Sequence, residues 1–358
     1  MTTSSNQNTP KKNAQPLQAT SAIRQTTSTL VVSDLHFGDT RCTLHSMRTA
    51  EALVAKLSPF APVTDIVLLG DILDLQLANW AQAVEGMILA TPAKRAAGFR
   101  YFINFLLRET GARRITYVPG NHDYRIFDYH SVERSLLRPL RNGKKLSGKT
   151  SFFRTFPESF LQGLLTVPDA KIQVVYPHHT IRVNGERIIL THGHFFDPTQ
   201  AFNHEIGKIF SKTGPLSRDQ IVRLRQNYFR RVSLYQNLVS GISMRKDLRD
   251  WFSSLYQPVT SWKQKFQHRQ RKQFLTDAMK RSIEHYVTFC CRPGRVHGVI
   301  FGHTHRPGTA TLQNGPVRYV WNCGSFLRES SQSPLGSFIT IRNGGKVPIT
   351  EAIQVHQL

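Results

Sequence analysis

The sequence is short of cysteine, of acidic residues and of long apolar runs, and each shortage excludes something. Its four cysteines (Cys42, Cys290, Cys291 and Cys323) include no Cys-x-x-Cys pair. That spacing supplies neither a thiolate metal site nor a disulfide framework, so reduced thiols and a cytoplasmic protein are expected. No stretch reaches the ~18 consecutive apolar residues of a membrane-spanning helix. The first residues also lack the apolar core of a secretory signal. Acid is scarce, with 23 Asp and Glu against 47 Lys and Arg, a net charge of +24. That balance points to an anionic partner: nucleic acid, an acidic membrane face or a phosphorylated substrate. With 358 residues, 40% of them hydrophobic, the chain can bury a full core.

The positive charge is unevenly placed. Residues 205–295 hold 19 Lys and Arg against 6 Asp and Glu, more than half of the excess. Over the same region strand signals vanish, and aromatic residues recur at helical spacing, as in Tyr228, Phe229, Tyr235, Trp251, Phe252 and Tyr256. Residues 202–295 therefore read as a basic helical insertion, a lid, interrupting one domain formed by 28–201 and 296–358. Residues 1–27, rich in Thr, Ser, Asn and Gln, read as a disordered leader. The basic stretch 124–165 yields no pattern.

Within the main domain, apolar β-runs alternate with helical stretches. Thr29–Asp34, Asp65–Asp71 and Arg114–Pro119 are strands; Leu44–Leu57 and 93–109, closed by Gly111, are helices. This alternation predicts a parallel-centred sheet with helices on both faces. Asn184-Gly185 between two β-runs predicts a hairpin. A final β section runs over Gly308–Leu312, Val317–Val320, Ser337–Arg342 and Val347–Val355.

Five of the β-runs end in chemically capable side chains: Asp34 and His36, Asp71, Asn121 and His122, His192 and His194, His303 and His305. The carboxyl ends of strands are where α/β sheets place their sites. Carboxylate, amide and imidazole donors without thiolate suit Mn²⁺, Zn²⁺ or Fe²⁺. An Asp-x-His or His-x-His pair leaving a strand should share a face, because the strand period is two. Asp71 could bridge two ions with its two oxygens, and such a pair can clamp a phosphoryl displacement. His122 can be a ligand or a proton donor, with Asp123 orienting its imidazole.

The ordered set Asp34-Leu-His36, Gly70-Asp71-Ile-Leu-Asp74, Gly120-Asn-His-Asp123, His192 and Gly302-His-Thr-His305 resembles the calcineurin-like metallophosphoesterase family. The resemblance implies a four-layer αββα sandwich and a phosphoesterase with two divalent ions. One ion would take Asp34, His36, Asp71 and His305; the other would take Asp71, Asn121, His192 and His303. His122 would act at the leaving oxygen as general acid or charge stabiliser, and Asp74 would support the site without binding metal.

Gly302-His-Thr-His-Arg-Pro307, the later Asn322-Cys-Gly-Ser325 and an insertion before Gly302 are similar to the UDP-2,3-diacylglucosamine hydrolase group. That likeness implies pyrophosphate cleavage in a lipid A precursor, typically with Mn²⁺, at the inner face of the cell membrane. Residues 205–295 would then meet anionic headgroups and acyl chains. Members of the group carry Arg at the position of His122 and Asp at that of His194. His194 and Arg306 are candidate substrate contacts. The alternative is a nuclease or generic phosphodiesterase of the same superfamily, binding nucleic acid through the basic insertion.

Overall fold

The protein is described by a computed structural model over residues 27–74, 98–123, 160–196, 274–291, 295–313, 315–328, 330, 334–344 and 347–358. The leader up to residue 26, residues 75–97 with the first part of the helix read over 93–109, residues 124–159, and residues 202–273 of the basic insertion lie outside the described residues.

The strands are β1 (Thr27–Val32), β2 (Val63–Leu68), β3 (Arg114–Tyr117), β4 (Lys171–Val174), β5 (His179–Val183), β6 (Glu186–Leu190), β7 (Gly298–Phe301), β8 (Gly308–Thr311), β9 (Tyr319–Asn322), β10 (Ser337–Asn343) and β11 (Ile353–Gln357). The helices are α1 (Met47–Leu57), α2 (Phe99–Thr110), α3 (Asp277–Cys290) and α4 (Ile349–Ala352). Gly111 closes α2 in the left-handed conformation, its N–H reaching Leu107 O. The Asn184-Gly185 turn sets the β5–β6 register, with Val183 opposite Glu186.

The strands form two sheets, as the four-layer αββα sandwich implied by the resemblance requires; strand–helix alternation alone predicts one parallel-centred sheet. One has the order β11-β10-β1-β2-β3-β4 and the other β5-β6-β7-β9-β8. The β1–β4 run is parallel, as are β6, β7 and β9, and antiparallel strands border each parallel run. Strand–helix alternation has the same signature whether a strand extends one sheet or opens a second. The sequence pattern therefore could not separate the two outcomes.

Side-chain alternation explains the layering. Val31 on β1, Val67 on β2, Ile188 and Leu190 on β6, Ile300 on β7 and Trp321 on β9 join one buried cluster between the sheets. Their neighbours Leu30, Val32, Ile66 and Leu68 point the other way and cluster with Leu53 and Leu57 of α1 and Phe102 and Leu106 of α2. On the second sheet Phe196 stands edge-on to both Phe301 of β7 and Tyr286 of α3. The arrangement is a sandwich of helix, sheet, sheet and helix. α3 belongs to this core through Met279, Ile283, Tyr286 and Val287, although it falls at the end of the segment read as an insertion.

Val347–Val355 is not one strand. Pro348 starts the single turn α4, whose Glu351 and Ala352 amides bond back to Pro348 O, and β11 begins only at Ile353.

Candidate metal centre

The carboxyl ends of β1, β2, β3, β6 and β7 converge across the two sheets. Among the described residues, three groups of ligand-bearing side chains lie close enough to hold an ion: Asp34, His36 and His305; His36, Asp71 and His122; and Asp71, His192 and His303. The structure thus brings together the five strand ends singled out from sequence. Strand periodicity is not what aligns them. β1 ends at Val32, and both Asp34 (φ 53°) and His36 (φ 49°) lie beyond it with left-handed backbone. Asp71 (φ 51°), His303 (φ 68°) and His305 (φ 58°) do the same. Left-handed steps at non-glycine residues are costly and persist where surrounding contacts enforce them. Here they turn successive side chains toward a common point.

Two glycines make the close approach possible. A Cβ on Gly120 would collide with Asp71, and one on Gly70 (φ 82°) with the ring of His192. The GD and GN steps of the motif therefore belong to the packing of ligands against each other's backbone.

The hydrogen bonds fix which atoms face the centre. Asp34 Oδ2 accepts from His303 N at 2.8 Å and from Ser33 Oγ at 2.5 Å, which leaves Oδ1 free of hydrogen bonds. Asp71 Oδ1 accepts from His122 N at 2.8 Å. Its Oδ2 lies 3.1 Å from His192 Nε2 and 3.9 Å from His36 Nε2. Oδ2 is thus the oxygen nearer the two imidazoles, while Oδ1 is held by the His122 amide. His36 donates Nδ1–H to Asp74 Oδ2 at 3.3 Å, and His192 donates Nδ1–H to Leu69 O at 3.1 Å. Each bond leaves Nε2 as the ligating nitrogen. Asn121 Oδ1 sits 3.2 Å from His192 Nε2.

His122 has a different partner from the one predicted. Its Nδ1 bonds Asp74 Oδ1 at 3.0 Å. Asp123 instead accepts from Ile72 N at 2.8 Å, Tyr117 Oη at 2.5 Å and Gly120 N at 2.5 Å. The chain bends at Asn121–Asp123, so neighbouring side chains diverge. His122 turns outward, and Asp123 is buried beneath as the brace of the loop. Asp74 thus serves two imidazoles, His36 and His122. The repeated carboxylate at the end of Gly70–Asp74 was the available signal.

His194 is buried against Phe195, with ring centroids 3.8 Å apart and His192 5.5 Å away, and neither of its ring nitrogens has a hydrogen-bond partner. Burial, with His192 and His303 beside it, holds its pKa well below the usual histidine range. Arg306 follows His305 directly and is half-buried.

The electrostatics ask for cations. Burial opposes ionisation of Asp71, yet His192, His122 and His36 hold it well below the usual carboxylate range. Asp34 is lowered in the same way, burial being outweighed by His192 and His305. Burial would depress His192, but Asp71 and Asp34 raise it to about 9. His122 likewise reaches about 9, burial being outweighed by Asp71 and Asp74. In the metal-free chain, protons on imidazoles balance buried carboxylates. Divalent ions suit the same site: oxygen and nitrogen donors, with Asp34 Oδ1 and His36 Nε2 buried and making no hydrogen bond.

This fold and donor set define a metal-dependent phosphoesterase. The chain matches the calcineurin-like phosphoesterase family over residues 27–307 and belongs to it. It is a hydrolase of that class. No match is found among curated proteins. Among solved structures it is similar to a predicted phosphoesterase from Streptococcus pneumoniae (10% identity, covering 93% of this chain and 98% of that one, TM-score 0.28). A metallophosphoesterase from Sphaerobacter thermophilus is also similar (15% identity, 93% and 88%, TM-score 0.29). So is Vacuolar Protein Sorting 29 from Cryptosporidium parvum (9% identity, 93% and 97%, TM-score 0.32). Family membership rests on the match over residues 27–307. Among the described residues no helix is long and apolar enough to cross a membrane.

The raised imidazole values carry a pH prediction. A group whose folded pKa lies above its ordinary 6.5 stabilises the fold at low pH and loses that contribution as pH rises through about 9. The melting temperature of metal-stripped protein should therefore fall across that window. Mn²⁺ affinity should rise over it, because ions must displace the protons. Scanning calorimetry and metal titration at stepped pH check both, and a metal-free melting temperature that climbs across the window would contradict the assignment.

Proposed function

We propose that the protein is a dinuclear phosphoesterase that hydrolyses a phosphodiester or pyrophosphate bond, with a nucleotide-linked lipid such as UDP-2,3-diacylglucosamine as substrate. The observation that supports the dinuclear reading is that Asp71 belongs to two ligand groups, one with His36 and one with His192 and His303. Asp34, His36, Asp71 and His305 would hold one ion, and Asp71, Asn121, His192 and His303 the other, with manganese the expected metal. Two divalent ions in those places supply Lewis-acid stabilisation of the phosphoryl oxygens and acidify water for attack.

The chain's own residues do the rest. Asp74 holds His122 by Nδ1, so Nε2 is the nitrogen presented to substrate. The side chain of His122 is 26% exposed where that of His192 is fully buried, which puts it at the mouth of the site. In the metal-free chain burial is outweighed by Asp71 and Asp74, which raise its pKa to about 9. It is thus equipped to give its proton to the departing oxygen, or to balance the charge that develops there. Asp123, Tyr117 and Gly120 keep the loop beneath it in place.

The lipid-nucleotide reading is supported by Gly302–Pro307, by Asn322–Ser325 and by the basic, aromatic composition of residues 205–295. Lys and Arg in such a stretch suit pyrophosphate and anionic headgroups, and its apolar residues suit acyl chains.

Mn²⁺-loaded protein incubated with UDP-2,3-diacylglucosamine, bis-p-nitrophenyl phosphate, single-stranded DNA and a cyclic nucleotide should cleave the lipid-linked pyrophosphate fastest. Preferred cleavage of DNA would replace this substrate class with the nuclease reading. His122→Asn should retain two metal equivalents yet turn over about 10²–10⁴-fold more slowly. Unchanged turnover would remove His122 from the mechanism.

A further inference from the structure

The turn that carries His303 and His305 is held from below by a residue that the function above does not use. Asn322 ends β9 and is wholly buried. Its Nδ2 donates to Gly302 O at 3.0 Å and to Thr304 Oγ1 at 2.8 Å. Its Oδ1 accepts from Gly324 N at 2.8 Å. Both amide hydrogens and the carbonyl are therefore in use. The two anchored groups flank His303, and Thr304 lies between two histidines with left-handed backbone. The remaining backbone bonds of the turn run from Gly302 N to His192 O (2.9 Å), from His303 N to Asp34 Oδ2 (2.8 Å) and from Thr304 N to Gly302 O (2.8 Å). Asn322 thus reaches both ends of the Gly302–Thr304 segment.

We infer that Asn322 is a positioning residue for the metal centre, its single buried amide fixing one ligand of each ion at once. This rests on the proposed assignment of His303 and His305 to different ions. The chemistry of the site selects asparagine. Aspartate has the same shape but would set an acceptor against Gly302 O, losing that bond and placing two oxygens face to face; Thr304 could keep its contact only by turning its hydroxyl to donate. Left-handed residues relax when their surroundings no longer impose them. Freeing Thr304 would let both flanking imidazoles swing, so the two ions should weaken together. The Asn322-Cys-Gly-Ser325 stretch is otherwise turned inward: Cys323 Sγ donates to Val31 O, and Ser325 N bonds Ser337 Oγ.

The test is metal binding by the full-length chain, read by calorimetric titration with Mn²⁺ and by the visible spectrum of the Co²⁺ form. Wild type should bind two equivalents. Asn322→Asp and Thr304→Val should each weaken both equivalents by about tenfold to a hundredfold, the range seen when a ligand's supporting hydrogen bond is removed. Their Co²⁺ spectra should broaden. Thr304→Ser, which keeps the hydroxyl acceptor, should restore wild-type affinity. Thr304 is half-buried, so its variants decide the matter should Asn322→Asp fail to fold. Thr304→Val leaves a buried Asn322 amide hydrogen without its acceptor, so its metal-free melting temperature should fall by a few degrees; the broadened Co²⁺ spectrum is the readout that destabilisation alone would not move. Wild-type affinity at both sites in Thr304→Val overturns the inference, as does weakening confined to one site. Wild type that binds fewer than two ions overturns the dinuclear reading beneath it instead.

Discussion

The structure depends on keeping one buried carboxylate ionised. Asp71 sits at the seam where the ends of both sheets meet, and only 2% of its surface reaches solvent. Burying a lone charge is costly, and the cost is met only by partners placed around it. His122 N–H takes one oxygen, and the other faces His192 and His36. Those contacts tie the loops after β1, β2, β3 and β6 to one atom group. The two sheets also meet through the apolar cluster of Val31, Val67, Ile188, Leu190, Ile300 and Trp321.

The surrounding backbone is arranged for this and not for its own comfort. Seven non-glycine residues among those described have positive φ, and five of them (Asp34, His36, Asp71, His303 and His305) belong to the centre. Strain gathered in this way at one point indicates a site built against local preference and held by the fold. The supporting bonds are correspondingly dense. Asp74 orients His36 and His122, Leu69 O orients His192, Asp123 braces the Asn121 loop, and Asn322 braces the last turn. Each holds in place a residue of the proposed centre or the loop that carries it.

Much of this was legible in the sequence. Apolar β-runs ending in Asp, His and Asn named the strand ends that converge, and Asn184-Gly185 named the hairpin. Three features were not. A single strand–helix alternation cannot report that β5 opens a second sheet. Strand periodicity suggested the right pairs for the wrong reason, since Asp34 and His36 lie past the strand in left-handed backbone. Adjacency suggested Asp123 as the partner of His122, whereas the bend sends the two side chains apart and Asp74, forty-eight residues away, makes the bond. Long-range pairing of this kind is set by the fold, which local pattern does not encode. Asn322 carries the same lesson, since its meaning lies in contacts with residues 302 and 304.

The most direct test of the account is a crystal structure of the Mn²⁺-loaded protein with anomalous diffraction at the manganese edge. Two peaks are predicted, one among Asp34, His36, Asp71 and His305 and one among Asp71, Asn121, His192 and His303, with Asp71 shared by both. A single peak, or a pair that leaves Asp71 without a metal contact, would contradict the claim that this carboxylate organises the site.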